Sequence, residues 1–79
     1  MTMATGLVLV RLVAGKEKQA LNKLRNIEGV THISAVFGRW DLVIDVEANN
    51  LSDLTSLVVH KIRTIAGVLG TETLITTAI

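Results

Sequence analysis

The chain contains no cysteine. Disulfides, thiolate metal sites and cysteine nucleophiles are therefore excluded. Aromatic residues make up only 3% of the sequence, a single Phe37 and a single Trp40. Base stacking, which single-strand binders rely on, has almost nothing to work with. No sign of charge dominates: 8 basic against 7 acidic residues leave a net charge of +1. That balance gives no electrostatic footprint for nucleic acid or an anionic membrane. No apolar run approaches the length of a bilayer span. The stretch Met1-Thr2-Met3-Ala4-Thr5 lacks the charged start and apolar core of a secretion signal, so a cytoplasmic protein is expected.

What is present is aliphatic. Of 79 residues, 49% are hydrophobic, mostly Leu, Val, Ile and Ala. Mean hydropathy is +0.51. A chain this short allows one domain, residues 1–79, which buries only about 60% of the surface exposed on unfolding. More aliphatic surface than one small core can hide points to burial between subunits, so an obligate oligomer is expected.

Leu7 to Val13 is short, apolar and Val-rich, hence strand. Both its faces are apolar apart from Arg11, which is either a stray edge charge or a polar group at a partner surface. After Ala14-Gly15 the period changes. Ala20, Leu21, Leu24 and Ile27 form a helical stripe, and Gly29 follows where a helix end turns left-handed. The lysines of this helix are interrupted by Glu17 and Glu28, which marks a solvated face and not a basic patch.

Val30 to Phe37 reads as a second strand. In the third, Leu42, Ile44 and Val46 point one way, and Asp41, Val43, Asp45 and Glu47 the other. Asn50 or Ser52 caps a second helix with the stripe Leu54, Leu57, Val58, Ile62 and Ile65, ended by Gly67. Val68 to Ile79 is a Thr-rich last strand. Ile27-Glu28-Gly29-Val30 is echoed by Ile65-Ala66-Gly67-Val68. The order β-α-β-β-α-β with right-handed crossovers predicts a ferredoxin-like α+β fold: a four-stranded antiparallel sheet with both helices on one face. The opposite face is left for a second subunit.

Between strands two and three lies Val36-Phe37-Gly38-Arg39-Trp40-Asp41. Simple reversals are small and polar; this one holds both aromatics of the chain. Trp40 either fills a core or interface, or walls a small-molecule site lined by the backbone at Gly38 and the Asp41 carboxylate. Other chemistry is missing. His32 and His60 have no metal-ligand spacing. Asp41 and Asp45 are about 13 Å apart by strand rise, too far for a close acid/base pair. Ser34 has no oxyanion motif beside it. No enzyme, cofactor or metal is expected. Direct nucleic-acid binding is not expected either, because the central strands carry aliphatics and acids where RNA-binding relatives of this fold display aromatics.

Glu28-Gly29-Val30, Gly38-Arg39-Trp40-Asp41, Gly67-Val68 and Thr71-Glu72-Thr73-Leu74-Ile75, in this order and spacing, resemble the RAM domain, the ligand-responsive domain of Lrp/AsnC (feast/famine) transcription regulators. The resemblance runs from about Gly6 to the end of the sequence. It implies a homodimer joined through the sheets, a dimeric α/β sandwich, with dimers assembled into rings, commonly octamers. It also implies an amino acid bound between dimers, against the Gly-x-aromatic-Asp turn of one subunit and the late last strand of a neighbour. Carried over, the ligand residues are Gly38, Arg39, Trp40 and Asp41, with Thr76 and Ala78 on the last strand and Thr77 as the alternative to either. Full family members begin with a helix-turn-helix domain; only five residues precede the strand region here, so the likeness is to stand-alone RAM proteins, and DNA binding does not carry over. The function implied is an amino-acid-binding effector module that acts with a full-length regulator. Two alternatives stand beside it: a structural interaction module, and an ACT-like regulatory accessory of an amino-acid metabolic enzyme.

Overall fold

The computed structural model describes residues 3–76. Its first strand, β1 (Ala4–Leu12), lies inside the sheet, antiparallel to β3 (Leu42–Ala48) on one side and β4 (Val68–Ile75) on the other. β2 (Val30–Ala35) adds to the outer side of β3, giving the order β2-β3-β1-β4. With α1 (Glu17–Arg25) and α2 (Leu51–Leu57), this is the expected ferredoxin-like βαββαβ arrangement.

The registers sort side chains into two faces. Val8 stands opposite Ile44 and Thr73, and Val10 opposite Leu42 and Thr71. These rows face the helices, where Val8, Val10, Ile44, Leu24, Leu54 and Ile62 are fully buried. Each such side chain contributes roughly 1.5–3 kcal/mol by leaving water. On the other face Leu9 lies between Val43 and Glu72, and Leu7 between Asp45 and Leu74. Leu7, Leu9 and Val43 are only half-buried, because neighbouring strands shield their flanks and no described helix covers them.

Helix α1 begins at Lys16 without a side-chain cap. The Glu17 carboxylate instead accepts from the Gly15 N–H at 2.8 Å. Glu17 in the first turn and Lys23 and Arg25 in the last complement the helix dipole. Asn50, not Ser52, caps α2: its side-chain oxygen accepts from the Asp53 N–H at 2.8 Å. From Val58 to Ile62 the helix widens into a π segment, and the Arg63 N–H donates to the Val58 carbonyl at 3.0 Å.

Both helices leave through a left-handed glycine, Gly29 at φ 101° and Gly67 at φ 99°. A Cβ on Gly29 would sit 2.8 Å from a Leu57 methyl and 3.0 Å from the Glu47 carbonyl, so even a methyl there would press on both. One strand ends sooner than its sequence suggests, and a second can be followed only in part. β2 stops at Ala35, leaving Val36 and Phe37 outside it; the described part of β4 is Val68–Ile75. The Thr76 N–H still donates to the Thr5 carbonyl at 2.9 Å. The expected continuation through Thr77, Ala78 and Ile79 lies outside the described residues.

Candidate functional site

The turn between β2 and β3 hangs on one residue. The Asp41 carbonyl accepts from the Val36 N–H at 2.9 Å, and the Asp41 N–H donates to the Val10 carbonyl at 2.8 Å. Its side-chain Oδ2 accepts from the Leu12 N–H at 2.8 Å. This last contact falls where the β1–β4 register shifts, between Arg11 and Leu12. Leu12 also lies past the last β1–β3 pair, Val10 with Leu42, and the Asp41 carboxylate supplies the partner that β3 no longer offers its N–H.

Held at both ends by Asp41, residues 37 to 40 loop outward. None of their four backbone N–H groups has a protein acceptor among the described residues. Gly38 sits at φ 135°, and a Cβ there would meet nothing within 4 Å. Glycine is thus demanded by backbone conformation and not by crowding, and the space over it is open. Phe37 touches little: its exposure is 108%. Arg39 is exposed, and Trp40 is half-buried. Asp41 Oδ1 has no hydrogen-bond donor among the described residues. The turn therefore offers free N–H donors and one available carboxylate oxygen, with no outer wall from its own chain.

The last-strand positions are not beside it. The turn is tied to Val10 and Leu12, at the end of β1, whereas Thr76 is tied to Thr5, near its start. Five residues of strand separate Val10 from Thr5, about 17 Å by strand rise. Thr76 is exposed, and Thr77 and Ala78 lie outside the described residues. Within one chain, Gly38, Arg39, Trp40 and Asp41 come together and Thr76 does not.

Two features escape a reading of the sequence. One is Leu12, whose backbone holds Asp41; a contact across 29 residues leaves no local pattern. The other is a groove of about 390 Å³ between the end of α2, the π segment and β4. Its one visible signal is the threonine content of the last strand. Among the described residues, no group of three or more His, Cys, Asp or Glu is placed to hold a metal. No described helix is long and apolar enough to cross a membrane.

The family profile of the Lrp/AsnC ligand binding domain matches residues 5–78. The chain belongs to this family. Uncharacterized HTH-type transcriptional regulators of Pyrococcus abyssi and Pyrococcus horikoshii are 32% identical to it over 59 residues, 75% of this chain and 39% of theirs. The chain thus spans about two-fifths of the length of these regulators. The crystal structure of FFRP-DM1 superposes with a TM-score of 0.88 at 32% identity, covering 94% of this chain and 99% of that one. E. coli AsnC does so at 0.88 and 28% identity, covering 95% of this chain and 51% of that one. The chain is therefore related to transcription regulators through their ligand-binding part.

Proposed function

We propose that this Lrp/AsnC domain is a cytoplasmic amino-acid sensor, not an enzyme, which assembles through its sheets into dimers and through its turns into a ring of up to eight subunits. A full-length Lrp/AsnC regulator is its partner, and nucleic acid is not bound directly. The observation that carries this reading is the turn held open by Asp41. Successive free N–H groups at a glycine-bearing turn suit a carboxylate. The unoccupied Asp41 oxygen suits an ammonium through a charge-assisted hydrogen bond. An α-amino acid carries both groups on one carbon. Because the turn has no outer wall, a neighbouring subunit must close the site, which couples binding to assembly. Thr76, Thr77 and Ala78 of that neighbour are the residues we assign to the closing wall.

The Asp41–Leu12 contact also favours a plainer reading, in which the carboxylate only secures the turn and the exposed aromatics serve protein contact. Asp41→Asn separates the two. The amide oxygen still accepts from the Leu12 N–H, but the charge that holds an ammonium is gone. A thermal-shift screen of the twenty amino acids identifies the ligand, since binding to the folded state raises the melting temperature. Calorimetric titration of parent and variant then measures the contact. Affinity should fall by about tenfold or more with assembly unchanged. Equal affinity in both proteins removes Asp41 from the site, and a flat screen favours the plainer reading.

A further inference from the structure

The inward face of β4 is wrong for a strand that only covers a core. In the row through Val10, β3 contributes Leu42 and β4 contributes Thr71; in the row through Val8, β3 contributes Ile44 and β4 contributes Thr73. Leu74, the residue after the second row, points to the opposite face and is exposed. On β4 two successive inward positions, Thr71 and Thr73, are hydroxyl-bearing where β1 and β3 place aliphatics. Threonine favours strands anywhere, but strand propensity does not choose the face.

Neither hydroxyl has a side-chain hydrogen bond among the described residues. Thr31, Thr55 and Thr64 each donate to a backbone carbonyl, at 3.2, 3.0 and 2.9 Å. Thr71 and Thr73 have no such partner among the described residues, although both are half-buried. No buried side-chain polar atom among the described residues lacks a hydrogen bond. Both hydroxyls must therefore reach open space, and the groove of about 390 Å³ is the space that both residues line.

The facing wall is mixed in a particular way. Val58 and Val59, with Ile75 from β4, make it apolar. Arg63 is its one charged residue, with no acidic side chain in the lining. The π turn sets that cation in place: the Arg63 N–H bonds to the Val58 carbonyl, five residues back, so Arg63 begins directly above Val58.

We infer that this groove is a binding site for a small aliphatic carboxylate. Arg63 holds the carboxylate, the Thr71 and Thr73 hydroxyls donate to it, and the aliphatic tail lies on Val58, Val59 and Ile75. The volume falls in the range of small-molecule sites. One guanidinium matches one carboxylate and is poor provision for a phosphate dianion. An apolar side chain from another protein would fill the groove but leave the guanidinium and two hydroxyls unpaired, which is costly. The groove shares no residue with the Gly38 turn, and the inference does not depend on the turn binding anything.

The test uses the full chain, labelled with ¹⁵N, and two probes with the same branched tail. 4-Methylpentanoate has the carboxylate and no ammonium; 3-methylbutylamine has the ammonium and no carboxylate. The acid should shift the amide signals of residues 58–63 and 71–75, and the amine should not. Arg63→Gln should weaken the acid about tenfold or more. Thr71→Val with Thr73→Val should weaken it too, while the melting temperature holds or rises, because apolar residues then face an apolar wall. No shifts with the acid, equal shifts with the amine, or shifts that survive Arg63→Gln would each overturn the site. Shifts of these residues on dilution alone, with none from the acid, would overturn it in favour of a contact between copies. Since the acid lacks the ammonium that Asp41 would hold, failure here leaves the turn untouched, and the reverse holds as well.

Discussion

Strands β3 and β4 both pair with β1, antiparallel and in registers that align their inward positions row by row. On β3 those positions are Leu42, Ile44 and Val46, all buried; on β4 they are Thr71, Thr73 and Ile75, none of them buried. Ile44 is 0% exposed and Ile75 is 44% exposed, at comparable distances from β1. The difference is one of surroundings. β3 has a strand on each side and a helix above, whereas β4 is an edge beside a groove. One strand is completed by its own chain; the other is left for something outside it. Hydrophobic content alone would not distinguish them, since both strands are rich in aliphatics and the distinction lies in which face carries them.

The largest expected effect sharpens this contrast. Ile44→Ala should cost about 2–5 kcal/mol by emptying a packed site, against less than about 1 kcal/mol for Ile75→Ala, where the side chain is already wet. Urea unfolding of both variants measures the gap, and similar losses would mean that β4 is as much a core strand as β3. Next comes the uncovered face. Leu9→Asp places a carboxylate between Val43 and Glu72; if the sheets pair, it should abolish assembly, since burying an unpaired charge is prohibitive. Sedimentation of parent and variant decides this, and a monomeric parent would count against pairing altogether. Smaller again, Asp41→Ala removes the acceptor of the Leu12 N–H and should cost about 1–2 kcal/mol, with Asp41→Asn recovering most of it. Parallel denaturation curves provide the comparison. Last, Thr73→Val alone should change stability by no more than about 0.5 kcal/mol, in either direction, by calorimetric melting. A large loss would show that its hydroxyl serves the fold.

Much of this was legible in the chain because the signals are local. The stripe Leu54, Leu57, Val58 and Ile62 is a helix period, and the four residues are buried. Gly29 and Gly67 end helices for a backbone reason, and both have the positive φ that reason requires. The hidden parts are those set by distant partners or by the absence of one. Phe37 continues an apolar alternation, so it reads as strand; the Val36 N–H still bonds the Asp41 carbonyl in the β2–β3 register, and from Phe37 to Trp40 the backbone N–H groups find no partner among the described residues. The π segment shifts hydrogen bonds by one residue but leaves the stripe intact, so periodicity cannot reveal it. In the turn, Gly38 and Asp41 stood out by composition, yet the contact of Asp41 with Leu12 depends on where β1 ends in space.

Every strand contact in the sheet joins the first half of the chain to the second. β1 and β2 belong to the first βαβ unit and do not touch as neighbours; β3 and β4 belong to the second and do not either. The helix-exit glycines repeat the exchange: the Gly29 carbonyl accepts from Glu47 across the halves, and the Gly67 carbonyl accepts from Val13, each at 2.8 Å. The sheet is thus an interleaving of two pieces that have no ladder of their own. Neither half has a ladder on which to fold alone, so unfolding is expected to be all-or-none, with folding waiting on the closure of long loops. A cut in the exposed loop after Gly38 would sever the one covalent link between the halves while leaving every ladder bond in place. Two fragments, each without a sheet alone, would hold one together.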